Sequence, residues 1–187
     1  MVRRLRRTLL ALALVAATTG ATDPAARVDV FAGTDAGAPD FGTGGGAGNT
    51  FPGAVLPFGM VQFSPDTLPG ERAFGGGYTY SDDRIKGFGL RHMSGPGCAA
   101  YQDFPITPTT APITSSPAKP LTTDLDDEYV ARFAHDRERG TPGYYGVRLE
   151  QPGGGAIDAR LTATTRTAAA RFGFPRTKPA SVLINAS

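Results

Sequence analysis

Few side chains in this 187-residue chain suit nucleophilic, acid–base or metal-binding work: two histidines, one cysteine and a scatter of carboxylates. His92 lies in Leu90-Arg-His-Met-Ser-Gly-Pro-Gly-Cys98, which reads as a strand end running into a tight glycine turn. A single histidine is more often a hydrogen-bonded structural residue than a base, and His135 is too far along the chain to make a metal-ligand pattern with it by spacing. Cys98 alone behaves as a small buried hydrophobe, and a cysteine–histidine pair acting as nucleophile and base needs an orienting third group that the sequence does not identify. Ser94-Gly95 lacks the G-x-S-x-G elbow of esterases. The carboxylates are Asp66, Asp82, Asp83, Asp103 and the run Asp124 to Glu128. Splitting a glycosidic bond with inversion needs two of them about 6.5–9.5 Å apart, and no spacing along the chain demonstrates such a pair. Asp82-Asp83 follows Gly77-Tyr-Thr-Tyr80 where turn chemistry alone accounts for it, and the run ending at Glu128 reads as a solvated surface turn. No catalytic residue and no metal ligand is assigned.

The glycines carry a different signal. Gly42-Thr-Gly44-Gly-Gly46-Ala47 formally fits the fingerprint of a dinucleotide-binding turn, but that turn must open a helix, and Pro52 and Gly53 forbid one. A phosphate-cradling loop fails as well, because Gly48-Asn49-Thr50 lacks the lysine that would reach the phosphates. Glycine there lets the backbone pass close to something: another domain, a sugar or a neighbouring loop.

These loops need a scaffold, and its composition and punctuation are readable. Arg3, Arg4, Arg6 and Arg7 precede the apolar run Leu9 to Ala17, which falls short of the ~20 residues that cross a bilayer, so residues 1–26 read as a signal peptide cut near Gly20 to Ala26. A retained membrane anchor is the alternative. Arg6-Arg7 followed by Thr8-Leu9-Leu10 also suits twin-arginine export, so that route and the general secretory route both stay open. Removing residues 1–26 takes Lys+Arg from 19 to 15 and Asp+Glu from 17 to 16, turning a net +2 into −1. Such a balance gives no general attraction to phosphate backbones, so nucleic acid is not an expected partner. One cysteine excludes an internal disulfide even in an exported setting.

Residues 27–187 form one expected domain. With 25 Gly and 16 Pro, no stretch keeps a helical period beyond the signal. Strand signatures do recur: Val61 and Phe63 alternate, as do Tyr145, Val147 and Leu149, then Ile157, Ala159 and Leu161, then Phe172 and Phe174, and the chain ends in the β-prone run Ser181 to Asn185. Pro152-Gly153-Gly154-Gly155 separates two of them as a turn. Residues 33–53 and 105–124 read as long loops, the second rich in Pro, Thr and Ser. Short strands joined by turns without helices predict an all-β fold, an antiparallel β-sandwich with long glycine- and proline-rich loops.

Asn49-Thr-Phe-Pro-Gly53, Val55 through Thr67, Gly77-Tyr-Thr-Tyr-Ser-Asp82, Gly87-Phe88 with His92-Met-Ser-Gly95 and Gly97-Cys98, Pro142-Gly-Tyr-Tyr145 and Leu161-Thr-Ala-Thr-Thr-Arg166 occur in that order. The series resembles the N-terminal domain of glycoside hydrolase family 92, calcium-dependent, exo-acting, inverting α-mannosidases, over about residues 28–187. The resemblance implies a β-sandwich packed on a larger (α/α)6 helical domain. That second domain would supply the general acid, the base and most contacts to calcium (Ca2+), so this chain reads as a fragment that lacks it and does not hydrolyse mannosides unaided. Phe51, His92 and Cys98 are implied to line the mannose site, and α-mannose-containing glycans are the implied partners. Two departures stand out. Family members often carry a tryptophan before the Gly-Tyr-x-Tyr block, where this chain offers Phe74, which leaves linkage preference open. The stretch Thr34 to Phe41 partly duplicates a Phe-x-Gly-Thr phrase and is expected to displace the first strand. The expected product is a secreted or periplasmic bacterial domain, free of the membrane after signal cleavage. A stand-alone carbohydrate-binding module or an inactive remnant are the other readings, and an uncovered interface is expected to make the isolated chain prone to aggregate.

Overall fold

The computed structural model describes residues 23–35, 50–68, 76–94, 104–114 and 129–184. The proposed signal up to residue 22, the inserted stretch beyond Asp35, Phe74, Cys98, Asp103 and the run Asp124 to Glu128 lie outside them.

Within the described residues the chain forms β1 (Ala54–Val55), β2 (Gln62–Leu68), β3 (Arg84–Gly89), β4 (Ile106–Thr109), β5 (Ala131–Arg132), β6 (Glu138–Thr141), β7 (Tyr144–Glu150), β8 (Ala156–Ala163), β9 (Ala168–Gly173) and β10 (Ser181–Ile184). Two single 3-10 turns, Pro24–Arg27 and His135–Arg137, are the helical elements described. Hydrogen bonding runs β1-β2-β3-β5-β7-β8-β9, with β4 joined to β3, β10 to β4 and β6 to β7, and every pairing is antiparallel. The ladder curls so that β1 and β2 lie against β8 without hydrogen-bonding to it. That is the predicted antiparallel sandwich.

The β7–β8 hairpin shows how sequence becomes core. Tyr145, Val147 and Leu149 pair with Leu161, Ala159 and Ile157, so both sets of inward residues meet on one face, and all six are buried. Each fully buried side chain the size of Leu or Ile contributes about 1.5–3 kcal/mol. The turn between the strands closes through Gln151 N–H donating to Gly155 O at 3.0 Å, and Gly154 and Gly155 sit at φ of 78° and 86°, where a Cβ would be strained.

Two elements differ from the sequence expectation. Residues 105–124 read as loop, yet Ile106–Thr109 is a strand that pairs with β3 through Phe88 and with β10 along its length. Threonine is β-branched and fits a pleated, half-buried surface, so a Pro- and Thr-rich composition concealed a strand. In β2 the alternation predicts one inward face, but every residue from Phe63 to Leu68 is buried. Its second face is covered by residues 77–82 and by His92: Thr67 N–H donates to Gly77 O at 2.8 Å, and the Thr67 hydroxyl to Asp82 at 2.6 Å.

Gly53, just before β1, lies against β2, and a Cβ there would collide with Phe63 O and with the Cα and Cβ of Ser64. Gly53→Ala is therefore expected to lower stability by about 1–3 kcal/mol, as overpacking does. Thermal melts followed by circular dichroism measure it, and an unchanged Tm would refute the close approach.

Candidate functional site

The segment between β1 and β2 is a tight turn, closed by Gly59 N–H donating to Leu56 O at 2.8 Å and anchored by Met60 N–H donating to Thr165 O at 2.7 Å. Inside it Phe58 adopts φ 60°, a left-handed conformation that costs a non-glycine residue about 1–3 kcal/mol. Its ring is wholly exposed, and Met60 beside it is 67% exposed. Val28 and Met93 are exposed as well. These side chains, with Phe51, Leu56 and Gln62, border an open groove of about 1020 Å³.

Phe51 and His92, singled out from the sequence, come together on this groove, their rings 5.3 Å apart. Cys98 lies outside the described residues. His92 follows β3, and its ring turns inward until the side chain is fully covered. Nδ1 is 2.8 Å from the main-chain oxygen of Gln62 and Nε2 is 3.0 Å from Asp66 Oδ1. Both nitrogens are thus engaged by the protein, so the ring backs the groove instead of offering a polar atom to a ligand. Asp66, on β2, is itself fully buried. Asp82 is likewise structural, accepting from Thr67, and Asp83 pairs with Arg84. Lys86 on β3 is held below the ordinary lysine value by burial, with the charge of Asp66 opposing that shift.

A second polar cluster escaped sequence reasoning. The buried Glu138 carboxylate accepts the Tyr145 hydroxyl at 2.6 Å and the Tyr78 hydroxyl at 3.0 Å, and faces His135 Nδ1 at 2.7 Å. Tyr80 stacks on His135 with ring centroids 4.1 Å apart. Burial first, then the Glu138 charge and hydrogen bond, push both phenols far above the ordinary tyrosine value. The cluster ties β6 and β7 to residues 78–80, and Tyr78 stands 60 residues from Glu138, a separation without a local signature.

Among the described residues no group of three or more His, Cys, Asp or Glu side chains could hold a metal. What the groove edge can do is pack: it presents aromatic and thioether side chains on a tight turn, with His92 withdrawn behind them and Arg91 and Ser94 exposed beside them.

The sequence profile of the glycosyl hydrolase family 92 N-terminal domain matches residues 27–187. A secreted glycosidase of Arthroderma benhamiae is 32% identical over 136 residues, 72% of this chain and 16% of the relative. Among solved structures, a family 92 α-mannosidase from Bacteroides thetaiotaomicron superposes with a TM-score of 0.68 at 33% identity, covering 87% of this chain and 20% of that one. A second family 92 glycosyl hydrolase gives a TM-score of 0.68 at 30% identity over 88% of this chain and 20% of its own. The Bacteroides enzyme in complex with mannoimidazole gives 0.66 at 33% identity, over 85% of this chain and 19% of that one. The chain thus spans about a fifth of the length of these solved relatives.

The Glu138 cluster sets an alkaline limit on stability. Both phenols titrate above the ordinary value of 10.0 in the fold, so their contribution is complete below pH 10 and is lost as pH rises beyond it. The loss is about 1.4 kcal/mol per pH unit for each tyrosine. Tyr145→Phe is expected to remove one of the two contributions from the slope, and also to lower stability at neutral pH by about 1–3 kcal/mol through the lost bond to a buried carboxylate. Urea melts across pH 8 to pH 11.5 measure both; a slope indifferent to Tyr145→Phe would count against this account.

Proposed function

The chain belongs to the glycosyl hydrolase family 92 N-terminal domain family, and from that premise we propose that it is the β-sandwich part of an exported α-mannosidase, whose groove edge closes a mannose site against a helical catalytic domain. The observation that carries this reading is Phe58: a fully exposed aromatic ring, held at a left-handed φ on the groove that Phe51 and Met60 also line. Apolar surface on a rigid turn is characteristic of a contact with another folded unit. The α-mannosidase of Bacteroides thetaiotaomicron is about five times as long as the matched region, which leaves room for a further domain, and its complex with mannoimidazole supports a mannose-type ligand.

In this proposal the sandwich supplies walls. Phe51 gives the sugar an apolar face and His92 supports it from behind; Cys98, outside the described residues, is assigned to the sugar on its motif alone. The general acid, the base and the calcium ion belong to the helical domain. Export agrees with the secreted glycosidase of Arthroderma benhamiae, and no described helix is long and apolar enough to cross a membrane.

Two measurements test the reading. Phe58→Gly relieves the left-handed strain and is expected to raise the stability of the isolated chain by about 1 kcal/mol, while weakening its association with the helical domain. The chain alone is expected to show no α-mannosidase activity. Joined to the helical domain of a family member it should gain activity, and Phe51→Ala should then lower kcat/KM about tenfold, the loss of one contact of about 1.4 kcal/mol. Hydrolysis by the isolated chain, or a joined enzyme indifferent to Phe51→Ala, overturns the proposal.

A further inference from the structure

We propose that Asp66 and His92 form a positioning pair in which His92 carries a proton on both ring nitrogens and, as an imidazolium ion held by the Asp66 carboxylate, fixes the ring of Phe51 at the groove edge. The role of Phe51 toward a sugar rests on the function proposed above; the state of the pair does not.

The Gln62 main-chain oxygen, 2.8 Å from Nδ1, can only accept, so Nδ1 bears a hydrogen. In the proposed pair Asp66 is ionised and can only accept, so Nε2, 3.0 Å from its Oδ1, bears one as well. Two ring protons make a cation, and the carboxylate compensates it. Both side chains are fully covered, and an isolated charge in that position would be expensive, whereas a hydrogen-bonded pair of opposite charges is tolerated. Lys86 on β3 adds a second positive charge to the surroundings of Asp66.

The pair is also sterically clamped. A Cβ at Gly77 would lie 2.5 Å from Asp66 Oδ1 and 2.9 Å from His92 Cδ2, and one at Gly89 would lie 3.0 Å from Asp66 Oδ2 and 3.1 Å from His92 Cε1. Glycine at both positions lets the two side chains meet. Among the described residues Asp66 Oδ2 has no hydrogen-bond partner, so Nε2 is the partner through which the carboxylate is held. The Phe51 ring stands 5.3 Å from the imidazole centroid at 37°, inside the roughly 6 Å range over which a cation is attracted to an aromatic ring. A charged His92 thus orients Phe51 by more than shape.

The experiment is nitrogen-15 NMR of the His92 imidazole in the whole chain, together with the proton contact between the Phe51 and His92 rings. In the native protein both ring nitrogens are expected to resonate as protonated donors. Asp66→Asn keeps the shape but supplies an N–H, so Nε2 should shift to the unprotonated acceptor position and the Phe51 ring resonances should move with it. Asp66→Ala, which removes the acceptor, is expected to lose the Phe51–His92 contact that Asp66→Asn retains. An unprotonated Nε2 in the native chain, or an unchanged His92 spectrum in Asp66→Asn, overturns the proposal, and these two results decide it even if Asp66→Ala does not fold. A persisting ring contact in folded Asp66→Ala overturns the positioning role. No sugar is needed, so failure of the mannose reading and failure of this one are separately visible.

Discussion

The constraint on which the site depends is the double burial of β2. A strand covered on one face can leave its polar side chains in water, but β2 is covered on both, by the hydrophobic core on one side and by residues 77–92 on the other. Each polar group on the second face must then find a partner or carry a desolvation cost of a few kcal/mol. Asp66 finds His92, Thr67 finds Asp82, and Thr79 N–H donates to the Thr67 hydroxyl at 2.9 Å. These bonds hold the segment carrying His92 against the sandwich, and with it the ring that Phe51 rests on. The rigidity of the groove edge is inherited from a strand with no solvent-facing side.

The Glu138 cluster solves the same problem at another place in the fold. A carboxylate on β6 is buried, and two phenols and an imidazole gather around it. Neither cluster combines an accessible acid, a free base and a cavity, and each joins segments far apart in sequence. In both places the titratable groups are consumed in holding the chain together, and the groove is lined mainly by apolar side chains, which matches a wall better than a reaction centre.

Legibility followed the range of the interactions. The β7–β8 hairpin was readable because its alternation and its Pro-Gly-Gly-Gly turn are local, and Tyr145, Val147, Leu149, Ile157, Ala159 and Leu161 are all inward as expected. β4 was not, because its Thr-Pro-Thr sequence carries loop composition and its strand character comes from neighbours on β3 and β10. The meeting of Phe51 with His92 followed from an ordered series of motifs and not from spacing. The partner of His92 could not be read, since Asp66 is 26 residues away and looked like one carboxylate among several. Phe58 passed as part of an apolar phrase, because backbone φ is not written in residue type unless the residue is glycine.

Phe58 also shows why strain and exposure must be weighed together. A left-handed phenylalanine loses free energy in the backbone, and an exposed one forgoes what burial of its ring would contribute, on the order of 2 kcal/mol. Glycine would remove the first loss and a polar side chain the second, at a turn whose closing bonds are made by the main chain of Leu56, Gly59, Met60 and Thr165 and so ask nothing of the ring. Retaining both losses is consistent with a ring that is covered when the protein works. Behind it the Asp66–His92 pair is fully buried, so what meets this part of the edge meets the rings and thioethers of Phe58, Met60 and Met93 and not that pair. Shape therefore contributes to selectivity at such an edge, and Arg91 and Ser94, exposed on the same groove, are the side chains on this side that offer directional hydrogen bonds.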